Sequence, residues 1–139
     1  MGYTLRIGEA VVESNLEGRS AKVVVDVTSH PDAPLNSSDD HSNQISPSYV
    51  VWGEFYRLTG LNDIFLSEFW GGEEYGLLYR HPGAAALTEA HWMAFRKAKG
   101  DYLAKQAYVD DLVIRRLDWL IWWTRWALDN CKYPTFASS

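Results

Sequence analysis

The stretch from about Asp101 to Asn130 constrains the fold most, because it carries an almost unbroken amphipathic helical pattern, with Pro134 shortly beyond to stop it. At about 100° per residue, Asp111, Arg115, Asp118, Arg125 and Asp129 fall in one narrow sector. Their alternating signs predict ion pairs one turn apart, Asp111 with Arg115 and Arg125 with Asp129. That sector is expected to face water, yet Trp122 lies inside it. Two readings stay open: a neighbouring loop or helix covers Trp122, or Trp122 and Trp126 meet a subunit or partner, because aromatic residues are enriched at interfaces. The opposite side holds Val109, Leu112, Trp119, Leu120, Trp123 and Ala127, with Arg116 in their midst. A guanidinium buried there is costly unless it is paired. It must meet a carboxylate, stack on Trp119 or Trp123, snorkel outward, or face a bound anion.

The rest of the chain reads as a β-hairpin, a long polar loop and shorter helices. Tyr3, Leu5 and Ile7 alternate before Val11 and Val12, the period of a half-buried strand over 3–14. Leu16 to Ser20 form a turn, and the β-branched run through Val23, Val24, Val25 and Val27 completes the hairpin over 3–27. Residues 28–46 carry Pro31, Pro34 and a run of Ser and Asn, which argues against regular structure, and an ordered loop of that length is usually functional. Ser46-Pro47 reads as an N-cap with proline at the first helical position, opening a helix over 47–58 that Gly60 stops. Asn62 to Leu66 suit one helical turn, Glu68 to Tyr79 suit helix and strand equally, and His81-Pro82-Gly83 is a turn. Thr88 then caps a helix bearing Trp92, Met93, Phe95 and Ala98, which ends or kinks near Gly100. The expected fold is therefore α+β, one domain over 1–139, with an N-terminal hairpin packed on three or more helices and 47–131 mainly helical.

Length and charge narrow the function classes. A chain of 139 residues is of ordinary size for one core. Its 47% hydrophobic and 22% charged content is normal globular usage, whereas seven tryptophans are many. A net charge of −5 argues against a duplex nucleic-acid binder, which needs a basic stripe. The lone Cys131 cannot form an intramolecular disulfide, which fits a cytoplasmic setting. Neither a signal peptide nor a membrane span is evident, because the apolar run near Leu117 to Leu128 is broken by Asp118, Thr124 and Arg125.

Signatures of catalysis are scarce. His30 with Asp39, Asp40 and His41 offers metal-ligand residue types without the spacing of a metal motif, so no metal or cofactor is expected. His81, His91 and Cys131 stand singly, outside any recognisable nucleophile pattern. Glu68, Glu73 and Glu74 beside Gly71-Gly72 could pair as carboxylates but more simply form a solvated loop. The glycines spell neither GxGxxG nor a phosphate loop, and GxSxG does not occur. No catalytic residue is assigned. Of the remaining cations, Arg57, Arg80, Arg96, Lys97 and Lys99, the pair Arg96 and Lys99 shares a helix side with Trp92 as a second candidate anion site.

The opening Gly2-Tyr3-Thr4-Leu5-Arg6-Ile7-Gly8-Glu9, the helix start Ser46-Pro47-Ser48-Tyr49-x-x-Trp52 and the turn Arg80-His81-Pro82-Gly83 resemble small accessory proteins of tailed bacteriophages. The resemblance implies a context and no site residue: such proteins often act in a bacterial cytoplasm by binding something, host-defence proteins and nucleotide immune signals included. Three expectations follow. The first is a non-enzymatic protein that sequesters a small anionic, nucleotide-like ligand through Arg116, Trp119, Trp123, Trp92 and Arg96. The second is a protein-binding inhibitor or adaptor that uses Trp122 and Trp126. The third is a small nucleotide hydrolase. The long, nearly apolar helix also predicts a homo-oligomer that shares part of the tryptophan surface.

Overall fold

The computed structural model describes residues 2–14, 21–36, 38–65, 83–105 and 107–139. The valine-rich N-terminal region forms the expected antiparallel hairpin, β1 (Leu5–Ser14) with β2 (Ala21–Val25), in register from Ala10 opposite Val25 to Ser14 opposite Ala21. The first half of β1 pairs elsewhere, with β5 (Pro134–Ser138), which in turn pairs with β4 (Gly83–Ala86). A two-residue strand, β3 (Gln44–Ile45), joins β1 at Leu5 and Arg6. The order is β2-β1-β5-β4, with every pairing antiparallel. Thr4 and Ser139 exchange backbone hydrogen bonds of 2.8 and 3.0 Å, so the two ends of the chain are tied together beyond β1 and β5.

β4 and β5 have no strong local signature. Ala84, Ala85 and Ala86 are helix formers drawn into a strand by pairing with β5, and Pro134 occupies the first position of its strand, where a missing N–H costs least. Gly8 on β1 packs closely: a Cβ there would sit 3.0 Å from Val25 Cγ1, so that methyl would have to give way, and Arg6 donates to the Val25 carbonyl at 3.0 Å.

The helices are α1 (Tyr49–Thr59), α2 (Asn62–Phe65), α3 (Glu89–Lys105) and α4 (Asp111–Asn130). α1 starts two residues later than the Ser46-Pro47 pattern suggests. Pro47 is buried and its carbonyl accepts from Tyr3 at 2.9 Å, so the cap passes to Ser48, whose hydroxyl accepts the Val51 N–H at 3.2 Å. The stop is the expected one: Gly60, at φ 73°, takes the left-handed conformation that costs glycine least, and its N–H bonds to the Tyr56 carbonyl. α3 does not end at Gly100 but runs to Lys105, which brings Tyr102 into the core, where its hydroxyl accepts the Asp110 N–H at 3.0 Å. The last helix therefore begins at Asp111 rather than near Asp101, capped by the Asp110 carboxylate on the Leu112 N–H at 2.8 Å.

The helices meet one another and the sheet around Phe65. Its ring lies 5.1 Å from Trp52 of α1, 6.0 Å from Phe95 of α3 and 5.6 Å from Phe136 of β5. Leu5 and Ile7 from β1 and Leu117, Trp119, Leu120 and Trp123 from α4 complete this core. No described helix is long and apolar enough to cross a membrane. The expected turn at 16–20, the ambiguous stretch Glu68 to Tyr79, Arg80 and His81-Pro82 lie outside the described residues.

The polar segment after β2 is organised by two asparagines, 1% and 0% exposed. Asn36 donates to Asp40 Oδ1, Ser42 Oγ and the Gln44 carbonyl, while its oxygen accepts from the Ser38 and Asp40 N–H groups. Asn43 donates to the Ile7 and Asp26 carbonyls and accepts from the Thr28 N–H, fastening the loop to β1. The loop then lies along α4, where the Trp119 indole N–H donates to the Ser42 carbonyl at 3.1 Å.

Candidate functional site

The charged stripe of α4 is a seam between neighbours rather than a face turned wholly to water. Asp118 accepts from Lys99 of α3 at 2.6 Å. Arg125 forms a two-pronged pair with Glu89 at the start of α3, both contacts 2.7 Å, and also reaches Asp129 at 2.8 Å. On the other side Arg115 turns to Asp39 of the polar loop at 2.9 Å, so the expected pairing with Asp111 gives way to a contact between elements. The expected Arg125 and Asp129 pair is present. These hydrogen bonds raise the Arg125 guanidinium above its ordinary pKa and hold the Glu89 carboxyl below its own, Arg125 being the main cause.

The tryptophans follow this seam. Trp123 is fully buried and anchors two partly buried neighbours edge-to-face, Trp122 at 4.9 Å and 77° and Trp126 at 5.2 Å and 72°. The His30 ring of the polar loop lies 5.2 Å from Trp122, so a loop covers part of that residue. On α3, the partly buried Trp92 ring carries the Arg96 guanidinium at 4.6 Å and that of Arg125 at 4.8 Å. Arg125 thus ties the α3 aromatic to α4. Arg96 and Lys99 do share a groove of about 350 Å³ with Leu103, Asp118 and Ile121. The Lys99 charge is already taken by Asp118, and Arg96 lies over the Trp92 ring with no ion pair among the described residues.

Arg116 and its neighbours separate by role. Arg116 is only 7% exposed, yet neither of its expected intramolecular partners is present among the described residues: no carboxylate pairs with it and no ring receives it. Burial pushes its pKa down, and the field of Asp110 opposes that only partly. Trp119 is 0% exposed with its N–H bonded to the loop, while the buried Trp123 N–H has no acceptor among the described residues. The two rings belong to the core, on the same helix as an arginine that no carboxylate pairs with among the described residues.

The other chemistry-bearing groups serve the fold. Asp40 is held below its ordinary carboxyl pKa by Ser42 and Asn36, and His41 Nδ1 contacts the Ala33 carbonyl at 2.6 Å. His91 is fully buried, and its Nδ1 accepts the Thr88 N–H at 3.0 Å, closing the first turn of α3. Burial pushes the Cys131 thiol up to about 11, with Glu9 adding to the effect, which suits an inert thiol. Among the described residues no group of three or more His, Cys, Asp or Glu is placed to hold a metal ion. Glu68, Glu73 and Glu74 lie outside the described residues. A second hollow, about 200 Å³, opens between α2 and α3 beside Thr59, Leu61, Asp63, Lys97 and Asp101.

Sequence reasoning missed the link between Trp92 and the α4 stripe. The signal was present in the helical spacing of Glu89, Trp92 and Arg96 on α3, but the partner helix could not be named from it. Comparison with family models, with curated proteins and with solved structures finds no match to this chain.

Proposed function

We propose that the chain is a protein-binding adaptor or inhibitor whose contact face is the outer surface of α3 and α4, centred on Trp122, Trp126 and Trp92. The observation that carries this reading is the packing of these rings. Each is partly exposed, and each is held from behind, Trp122 and Trp126 by the buried Trp123 and Trp92 by two guanidiniums. Rings fixed before contact lose little rotamer freedom on binding, and tryptophan and arginine dominate the energetics of protein interfaces. The ion pairs of Glu89, Arg125, Asp129, Lys99 and Asp118 form a polar rim around them. The partner best suited to this face is a protein with an apolar patch and an acidic group for Arg96. The resemblance to phage accessory proteins supplies the context, a host protein in a bacterial cytoplasm, with defence proteins among the candidates.

Affinity capture with the purified chain tests the reading against its variants. Trp122→Asp and Trp126→Asp should each weaken capture of the same host protein by at least about 30-fold, the scale of an interface hot spot. Arg57→Asp on the exposed face of α1 should leave it unchanged. Circular dichroism must show full helicity for all three. Capture that survives both tryptophan changes removes the proposal. Light scattering at micromolar concentration separates self-association from binding to another protein: a dimer dissociated by Trp122→Asp assigns the face to a second copy of the chain.

A further inference from the structure

We infer that Arg116 receives an oxyanion, a phosphate or carboxylate group carried on a narrow stem, at the first two turns of α4. The inference is independent of the aromatic face, because Arg116 projects from the buried side of the helix with Val113, Leu120 and Trp123.

Comparison among the described arginines isolates it. Arg6 donates to Gln44 and to the Val25 carbonyl, Arg57 to the Gly53 carbonyl, Arg115 to Asp39 and Arg125 to Glu89 and Asp129, while Arg96 lies over the Trp92 ring. Arg116 is the most deeply placed of them, 7% exposed, and has no hydrogen bond, ion pair or ring contact among the described residues. Its Nε is fully shielded and partnerless. A guanidinium stays protonated even when its pKa is lowered, so the position keeps a positive charge with which no carboxylate among the described residues forms an ion pair.

The surroundings add to that charge. Side chains on a helix lean towards its N-terminus, which carries the Arg116 head towards the first turn of α4, where the helix dipole is also positive. Asp110 is the acidic group whose field reaches Arg116; its Oδ1 accepts the Leu112 N–H at 2.8 Å and no ion pair joins it to the guanidinium, so it offsets the charge only in part. The planar fork of arginine matches two oxygens of a phosphate or carboxylate. With so little of Arg116 exposed, a terminal group can enter where a bulky ring cannot.

Thermal unfolding at fixed ionic strength in chloride, inorganic phosphate or acetate provides the test. Wild type should gain about 5 °C at anion concentrations near ten times Kd. Arg116→Met should show no such gain, and Arg96→Met should keep it. A shift in phosphate alone identifies a phosphoryl group, and one in acetate alone a carboxylate. No shift in wild type, or an equal shift in Arg116→Met, overturns the inference. So does an Arg116→Met variant that is less stable than wild type in chloride while wild type ignores both anions, because Arg116 would then be structural. Should that variant fail to fold, the Arg116 Nε–H resonance of wild type, assigned through Arg116→Lys, must move on titration with phosphate or acetate. A resonance that stays still under both refutes the site.

Discussion

Asn43 fastens the polar loop to the sheet, so its removal tests whether that loop is part of the fold. The side chain is 0% exposed and makes three hydrogen bonds, to the Ile7 carbonyl at 2.8 Å, the Asp26 carbonyl at 2.9 Å and the Thr28 N–H at 2.8 Å. In Asn43→Ala the Ile7 carbonyl stays buried without that partner, at a cost of about 1–3 kcal/mol. Asp26 and Thr28 are exposed residues, so their backbone groups recover water and the loss is nearer ~1 kcal/mol each. The sum is about 3–5 kcal/mol, a large share of the ~5–15 kcal/mol that holds an ordinary domain together. For a chain of this size it corresponds to a fall in Tm of roughly 12–20 °C. Asn43→Asp keeps the shape and the acceptor for Thr28 but aims an anionic oxygen at two carbonyls. Burial raises the folded carboxyl above its unfolded value, so the defect is least below about pH 4 and grows as pH rises from there towards the folded pKa. Urea and thermal unfolding measure both effects. A loss under about 1 kcal/mol for Asn43→Ala, or an Asn43→Asp defect that does not change between pH 4 and 7, would show that the loop is not fastened in this way.

Three further outcomes follow from single groups. Thr124 is 0% exposed and its hydroxyl has no partner among the described residues, so the nearly isosteric Thr124→Val should raise stability by ~1–2 kcal/mol in urea unfolding, and a decrease would be contrary. With its thiol pushed from 9.0 to about 11, Cys131 should react with iodoacetamide at neutral pH about 100-fold more slowly than an ordinary cysteine, and equal rates would refute its burial. Asp40, Glu89 and Asp101 are held below their ordinary carboxyl pKa values, chiefly by Ser42, Arg125 and Lys97 respectively. The unfolded chain therefore binds their protons first on acidification. Their stabilisation is complete above the unfolded values near 4 and is lost as pH falls through the folded ones. A Tm that stays flat from pH 5 to pH 3 would contradict this.

The features legible in the sequence are those written in local periodicity. Alternating apolar residues marked β1, the valines marked β2, Gly60 marked the end of α1, and the wheel of α4 placed Trp119, Leu120 and Trp123 in the core. β4 and β5 were not legible, because Gly83 to Ala86 and Pro134 to Ser138 owe their strand form to each other and to β1, across distances that no local pattern records. The α3–α4 boundary was lost for a related reason: Gly100 resembles a stop, but the burial of Tyr102 two residues later overrides its modest cost of ~1 kcal/mol. Of the site, the wheel singled out Arg116 and Trp122 correctly as departures from their surroundings. It could not say what stands opposite each, since His30 for Trp122 comes from distant sequence.

A narrow stripe of alternating charge on a helix is usually taken to mean a water-facing side stabilised by pairs along the same helix. On α4 the charges work sideways instead. Lys99 and Glu89 on α3 answer Asp118 and Arg125, and Asp39 on the loop answers Arg115, so the stripe fixes the lateral position of two neighbours. Exposed pairs of this kind contribute little stability, ~0–1 kcal/mol each. Their consequence lies in alignment, because like charges in the wrong register would repel. Trp122 sits between those two lines of contact. A side chain there can be neither fully covered, since α3 and the loop are held apart on either flank, nor freely mobile, since Trp123 and His30 hold its ring. The same charges that set the fold's lateral register therefore keep an aromatic half-exposed and rigid, the property on which a protein-binding face at this position depends.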